Sequence, residues 1–202
     1  MNRRGRLIAT LVAVLAALLL QVTVLPLFAW DVGGLGVVPD VVLLVVVATA
    51  VATDTRFATL TGFWAGLLLD IAPPADHLAG RWALALMVVG YVVGRLVHDH
   101  AADGPGGAVG GRLPAYARGR TPLPLALATA AGGSFVGLSV FALSGLLLGD
   151  SGSVGDLLPV TLVGLLLDVI AAVLVVPATL GLHARAAGER PPRSAQRMRV
   201  RA

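Results

Sequence analysis

LLPVTLVGLLLDVIAAVLVVPATLGL, Leu157 to Leu182, is apolar from end to end except for a few small polar residues and one carboxylate, Asp168, set midway. Crossing about 30 Å of hydrocarbon takes about 20 residues of helix, so this stretch can span a bilayer and is too long for a buried strand. An aspartate at that depth costs at least about 2.5 kcal/mol on insertion scales, which turns it towards protein or water rather than lipid. Helical spacing places Thr161, Gly164, Asp168, Ala171 and Ala172 on one face, and their small size lets a neighbouring helix approach. The stretch therefore reads as a transmembrane helix with an inward carboxylate. That carboxylate either contacts an ion, a proton or a partner, or it is a hydrogen-bonded group that fixes helix register.

Working outward, five more apolar runs precede it, at 7–29, 37–52, 57–72, 82–97 and 123–148. The chain has 202 residues, of which 57% are hydrophobic and 13% charged, with mean hydropathy +0.88. A soluble domain carries charge on about a quarter of its residues. The fold expected is thus all-α and polytopic: one domain over 1–183, a compact bundle of about six transmembrane helices, the last at 157–182. The first run follows Arg3, Arg4 and Arg6 as a signal peptide would, but it is longer than the ~7–15 apolar residues of a cleavable segment. The runs at 37–52 and 57–72 are short for full crossings and turn tightly through Thr53-Asp54-Thr55-Arg56; local thinning or neighbouring helices can accommodate them.

Residues 98–122, rich in Gly, Pro and Arg, lack a hydrophobic period and read as a cytoplasmic loop; 184–202 reads as a disordered basic tail. All 15 basic residues are arginines. With six helices, every one except Arg81 falls on the side of the two termini, the asymmetry expected of a cytoplasmic face. A pI near 10.9 could suggest nucleic acid, but arginines beside apolar runs, with no soluble domain to present them, suit anionic lipid headgroups instead.

Other polar and small residues supply candidate sites. Asp70 ends Gly66-Leu-Leu-Leu-Asp70, the same string as Gly164-Leu-Leu-Leu-Asp168, which abundant leucine and glycine could produce by chance. Gly62, Gly66 and Asp70 share a helix face. Asp40 and Asp70 sit at outer helix ends near Arg81, an arrangement open to an ion pair or, less simply, a substrate-binding cluster. Gly90 and Gly94, Gly133 and Gly137, and Ala9, Ala13 and Ala17 are spaced for close helix packing, within the chain or against a partner helix. Gln21 is expected to make an interhelical hydrogen bond, and His98, His100 and His183 to be solvated at cytoplasmic helix ends.

Catalytic machinery is not legible. The chain lacks cysteine, its histidines have no metal-ligand spacing, and there is no phosphate-binding loop, nucleophile elbow, zinc-protease motif or dinucleotide fingerprint. No catalytic residue, metal or cofactor is expected.

Over about sixty residues the sequence resembles the MreD family of bacterial rod shape-determining proteins. The resemblance rests on Pro39-Asp40 opening an aliphatic helix, on Thr61-Gly-Phe-Trp-Ala-Gly-Leu-Leu-Leu-Asp70, and on Gly80-Arg81 leading into a helix with Tyr91. Gln21 and the Pro177 region fit more loosely, and the loop after His98 and the arginine tail depart from the family in composition. It implies a non-catalytic, multi-pass subunit of the bacterial inner membrane in the cell-elongation machinery. Its implied partners are MreC and elongation-complex proteins such as a penicillin-binding protein and a RodA-type synthase. The family resembles in architecture the substrate-binding components of energy-coupling-factor vitamin transporters, so a vitamin-binding membrane component is the alternative. Trp30, Trp82, Asp70 and Arg81 would then be the residues nearest to a ligand site.

Overall fold

A computed structural model describes residues 3–32, 34–73, 79–103, 123–148 and 154–186. The described residues form six α-helices: α1 (Arg3–Leu19), α2 (Val41–Ala52), α3 (Thr55–Ile71), α4 (Arg81–Asp103), α5 (Leu123–Leu147) and α6 (Val154–Ala186). Among the described residues, four segments are long and apolar enough to cross a membrane: Arg4–Phe28, Arg81–His98, Pro124–Leu147 and Leu158–Ala186. The chain is an all-α bundle of membrane-protein character.

The centre of the bundle is α2. Every residue from Val41 to Val51 is buried, and α1, α3, α4, α5 and α6 all touch it. Its composition explains this: a helix apolar all round has no solvent face and belongs inside. Its valines are mediocre helix formers, so packing holds it rather than propensity. At 12 residues it is about 18 Å long, well short of the hydrocarbon thickness. A helix this short ends inside the bundle, and its terminal amides must find partners there.

The outside is the inverse. Leu7, Leu11, Leu19, Leu60, Trp64, Phe135, Leu147, Leu162, Leu166 and Leu174 are among many large apolar side chains left exposed. In water such a continuous surface would be an aggregation liability; against lipid tails it carries no penalty.

Helices α3 and α4 form an antiparallel hairpin sealed by glycine. A Cβ at Gly62 would run into the Leu86 carbonyl and one at Gly66 into that of Trp82, while from the other side Gly90 would meet the Ala58 carbonyl at 2.5 Å. Gly94 lies against Thr55. The backbones touch, as closely spaced small residues permit. On α5, Gly133 and Gly137 admit the Val47 and Leu43 side chains of α2, whereas Gly164 of α6 has only Val37 within reach, at ordinary contact distance.

Several boundaries differ from expectation. The first apolar run does not stay α-helical to its end: after Leu19 it passes through a π turn (Leu20–Val24) and a 3-10 turn (Leu25–Phe28). Pro26, which cannot donate an amide to a continuing helix, stands in that 3-10 turn. A small antiparallel hairpin follows, β1 (Trp30–Val32) with β2 (Leu35–Val37), turning at Gly34 with φ +85°. The helix expected from residue 37 therefore starts at Val41, after Pro39 and the N-cap Asp40. Helix α3 begins at Thr55, capped by Asp54, so the tight turn shrinks to Thr53 and Asp54. Helix α4 continues to Asp103, into the expected loop, and α6 runs from Val154 to Ala186, taking the first residues of the expected tail. Residues 104–122 and 187–202 lie outside the described residues.

Candidate functional site

The start of α2 concentrates the buried polar groups. The N-cap residue and first three residues of any helix have amides with no intrahelical acceptor, and inside a membrane bundle water does not supply one. Here each is met. Asp168 Oδ1, from the middle of α6, accepts the Asp40 amide at 2.5 Å; Gln21 Oε1, from the π turn after α1, accepts that of Val42 at 2.9 Å; Asp40 Oδ1 accepts that of Leu43 at 2.9 Å. The Val41 amide reaches the Pro39 carbonyl at 3.2 Å. Three segments thus lock α2 in place, and the positive end of its dipole faces the carboxylates. Asp168 is 2% exposed and Asp40 7%. Expected to share an ion pair with Arg81, Asp40 instead lies against Asp168. Ser134 of α5, fully buried, lies beside the Asp168 carboxyl. Asp40 Oδ2 is also buried and meets no donor.

A second cluster stands where α3 hands over to α4. Asp70, buried at the end of α3, accepts the amides of Gly80 at 2.8 Å, Trp82 at 3.1 Å and Ala83 at 3.0 Å. It caps α4 from ten or more residues upstream. Arg81 is 8% exposed; its guanidinium lies 4.1 Å from the Phe141 ring centre and donates to the Phe141 carbonyl at 3.0 Å. Trp82 stacks on the same ring at 4.4 Å between centroids. Gly145 leaves the space that the Arg81 head occupies. Trp30 is 65% exposed, outside this cluster of buried groups.

At the opposite end lie Arg4, Arg6, Arg56, Arg95 and Arg185, brought together by the alternating helix directions. Arg6 pairs with Asp54 at 2.5 Å and covers the Phe57 ring at 4.2 Å. Partial burial opposes ionisation of Asp54, but the Phe57 amide and the Arg6 guanidinium outweigh it and hold the carboxyl below its ordinary range. His98 contacts the Thr53 carbonyl at 2.5 Å and is half-buried. His183, expected in solvent, is 3% exposed. The cause is α1, whose Gly5 sits so close to the end of α6 that a Cβ would meet the Ala186 carbonyl at 2.6 Å. The His100 side chain lies outside the described residues.

Sequence reading singled out Asp40, Asp70, Arg81 and Asp168, and the structure brings Asp40 to Asp168 while placing Asp70 and Arg81 around the start of α4. Ser134 went unnoticed because a serine in an apolar helix has no pattern to distinguish it. The two Gly-Leu-Leu-Leu-Asp strings end in carboxylates with one task, accepting amides at the start of another helix. Among the described residues no three His, Asp or Glu side chains converge on a metal-sized site. What the arrangement does chemically is hold helix starts in an apolar interior. No protein-family model, curated protein or solved structure matches the chain.

Proposed function

We propose that this chain is a membrane scaffold subunit of the MreD type, residing in a bacterial cytoplasmic membrane with its arginine-rich end on the cytoplasmic side. In this reading it partners MreC and helps to organise peptidoglycan synthesis, without chemistry of its own. The observation that carries the reading is the use of the residues on which the resemblance rests. Asp40 caps the central helix, Gly62 and Gly66 seal α3 against α4, and Asp70 caps α4. Those residues cap and pack helices, which suits a protein that works through its lipid-facing helix surfaces.

Co-purification tests this. The tagged chain, extracted from its native membrane, is expected to bring down MreC, and its depletion is expected to round the cells. An associated ATPase with a retained vitamin, or normal cell shape with no MreC, would contradict the scaffold role.

A further inference from the structure

The oxygens at the start of α2 do not balance. The amides of Asp40, Val42 and Leu43 are consumed by Asp168 Oδ1, Gln21 Oε1 and Asp40 Oδ1. That leaves Asp40 Oδ2 buried with no donor. Ser134, with no exposed surface, belongs to a different helix from either aspartate, and its hydroxyl lies beside the Asp168 carboxyl. Two carboxylates face one another, and the groups that face them are Gln21 from the turn after α1, Ser134 from α5 and the α2 amides. Val37 of β2, which touches α6 at Gly164, adds no charge. The side chains beside the carboxyls are neutral, Gln21 at Asp40 and Ser134 at Asp168. The α2 dipole supplies about half a positive charge, too little to offset two negative ones in an apolar interior, where an uncompensated buried charge is strongly unfavourable.

We propose that Asp40, Asp168 and Ser134 form a binding site for one monovalent cation, a proton or a sodium ion, held between the two carboxyl groups at the N-terminus of α2. The donor set is all oxygen and small, which suits a proton or a hard alkali cation and not a soft transition metal. A proton on Asp168 would let it donate to Asp40 Oδ2, and a proton on Asp40 Oδ2 would let that oxygen donate to Asp168; a sodium ion would instead gather Asp40 Oδ2, Asp168 and Ser134 Oγ. Either brings the cluster to a single negative charge facing a helix N-terminus. Occupancy would couple the seating of α2, and with it α1 and α6, to pH or sodium. This inference is independent of the scaffold reading.

The test is thermal unfolding of the purified full chain in detergent, followed from acid to alkaline pH at fixed ionic strength in KCl and in NaCl. In KCl the wild-type midpoint is expected to fall by several degrees on the alkaline side. If NaCl restores it there, the ligand is sodium; if NaCl matches KCl, it is a proton. Asp168→Asn keeps an oxygen for the Asp40 amide and adds an N–H for Asp40 Oδ2, so its midpoint is expected to lose both dependences. Asp40→Asn, which retains the Leu43 cap, should behave likewise and serves if the first variant does not fold. A wild-type profile that is flat in both salts overturns the proposal by itself, as does an alkaline loss equally large in the asparagine variants.

Discussion

Gly62 and Gly132 are both glycines inside apolar helices, and their surroundings give them opposite consequences. At Gly132 a Cβ meets nothing within 4 Å, whereas at Gly62 it strikes the Leu86 backbone. Alanine is a better helix former than glycine by about 1 kcal/mol. Gly132→Ala is therefore expected to leave the bundle as stable or slightly more so, and Gly62→Ala to lower the thermal midpoint by several degrees, because backbone cannot give way as a flexible side chain can. Unfolding of the two variants in detergent checks this, and equal behaviour would remove the glycine seam from the account. Residue spacing made that seam legible, since Gly62, Gly66, Gly90 and Gly94 fall on helix faces by counting alone. The partner of Asp168 was not legible: periodicity fixes which face a residue occupies, not which of several helices meets it, and Asp40 is 128 positions away. His183 shows the same limit. Its place at a cytoplasmic helix end suggested solvent, and the close approach of α1 through Gly5 buries it.

At the scale of elements, the starts of α2 and α4 share a device. Each begins among apolar neighbours and takes a carboxylate from a separate helix, Asp168 for α2 and Asp70 for α4. Losing an N-cap costs about 0.5–2 kcal/mol in ordinary helices, and buried amides left without acceptors cost more. Asp70→Ala, which strands the amides of Gly80, Trp82 and Ala83, is expected to destabilise the protein markedly; Asp70→Asn keeps an acceptor oxygen and should retain most of the stability. Comparing yields of folded protein and thermal midpoints for the two decides it, and a harmless Asp70→Ala would deny Asp70 its capping role. The helices themselves were readable from apolar run length. Their edges were not: the run expected from residue 37 passes over Pro39 and Asp40, so it takes in Val37, the last residue of a hairpin that turns at Gly34. Helix α4 overran its expected end for the converse reason, since polar residues after His98 can still continue a helix.

For the whole molecule, the account is a bundle whose helices alternate in direction around a fully buried α2. Arg4, Arg6, Arg56, Arg95 and Arg185 gather at one end, and Arg81, the hairpin and the α3–α4 turn at the other. The expected side for the arginine end is the cytoplasm. The chain contains no cysteine, so single cysteines can report on sidedness directly. Asp31 and Ala79 are exposed at one end and Arg56 at the other. Labelling Asp31→Cys, Ala79→Cys and Arg56→Cys with a membrane-impermeant maleimide is the most direct measurement. The expected result is reaction of the first two in intact cells stripped of any outer barrier, and of Arg56→Cys only after the membrane is opened. Reaction of Asp31→Cys and Ala79→Cys from opposite sides, or of Arg56→Cys from the same side as Ala79→Cys, would contradict the alternating bundle.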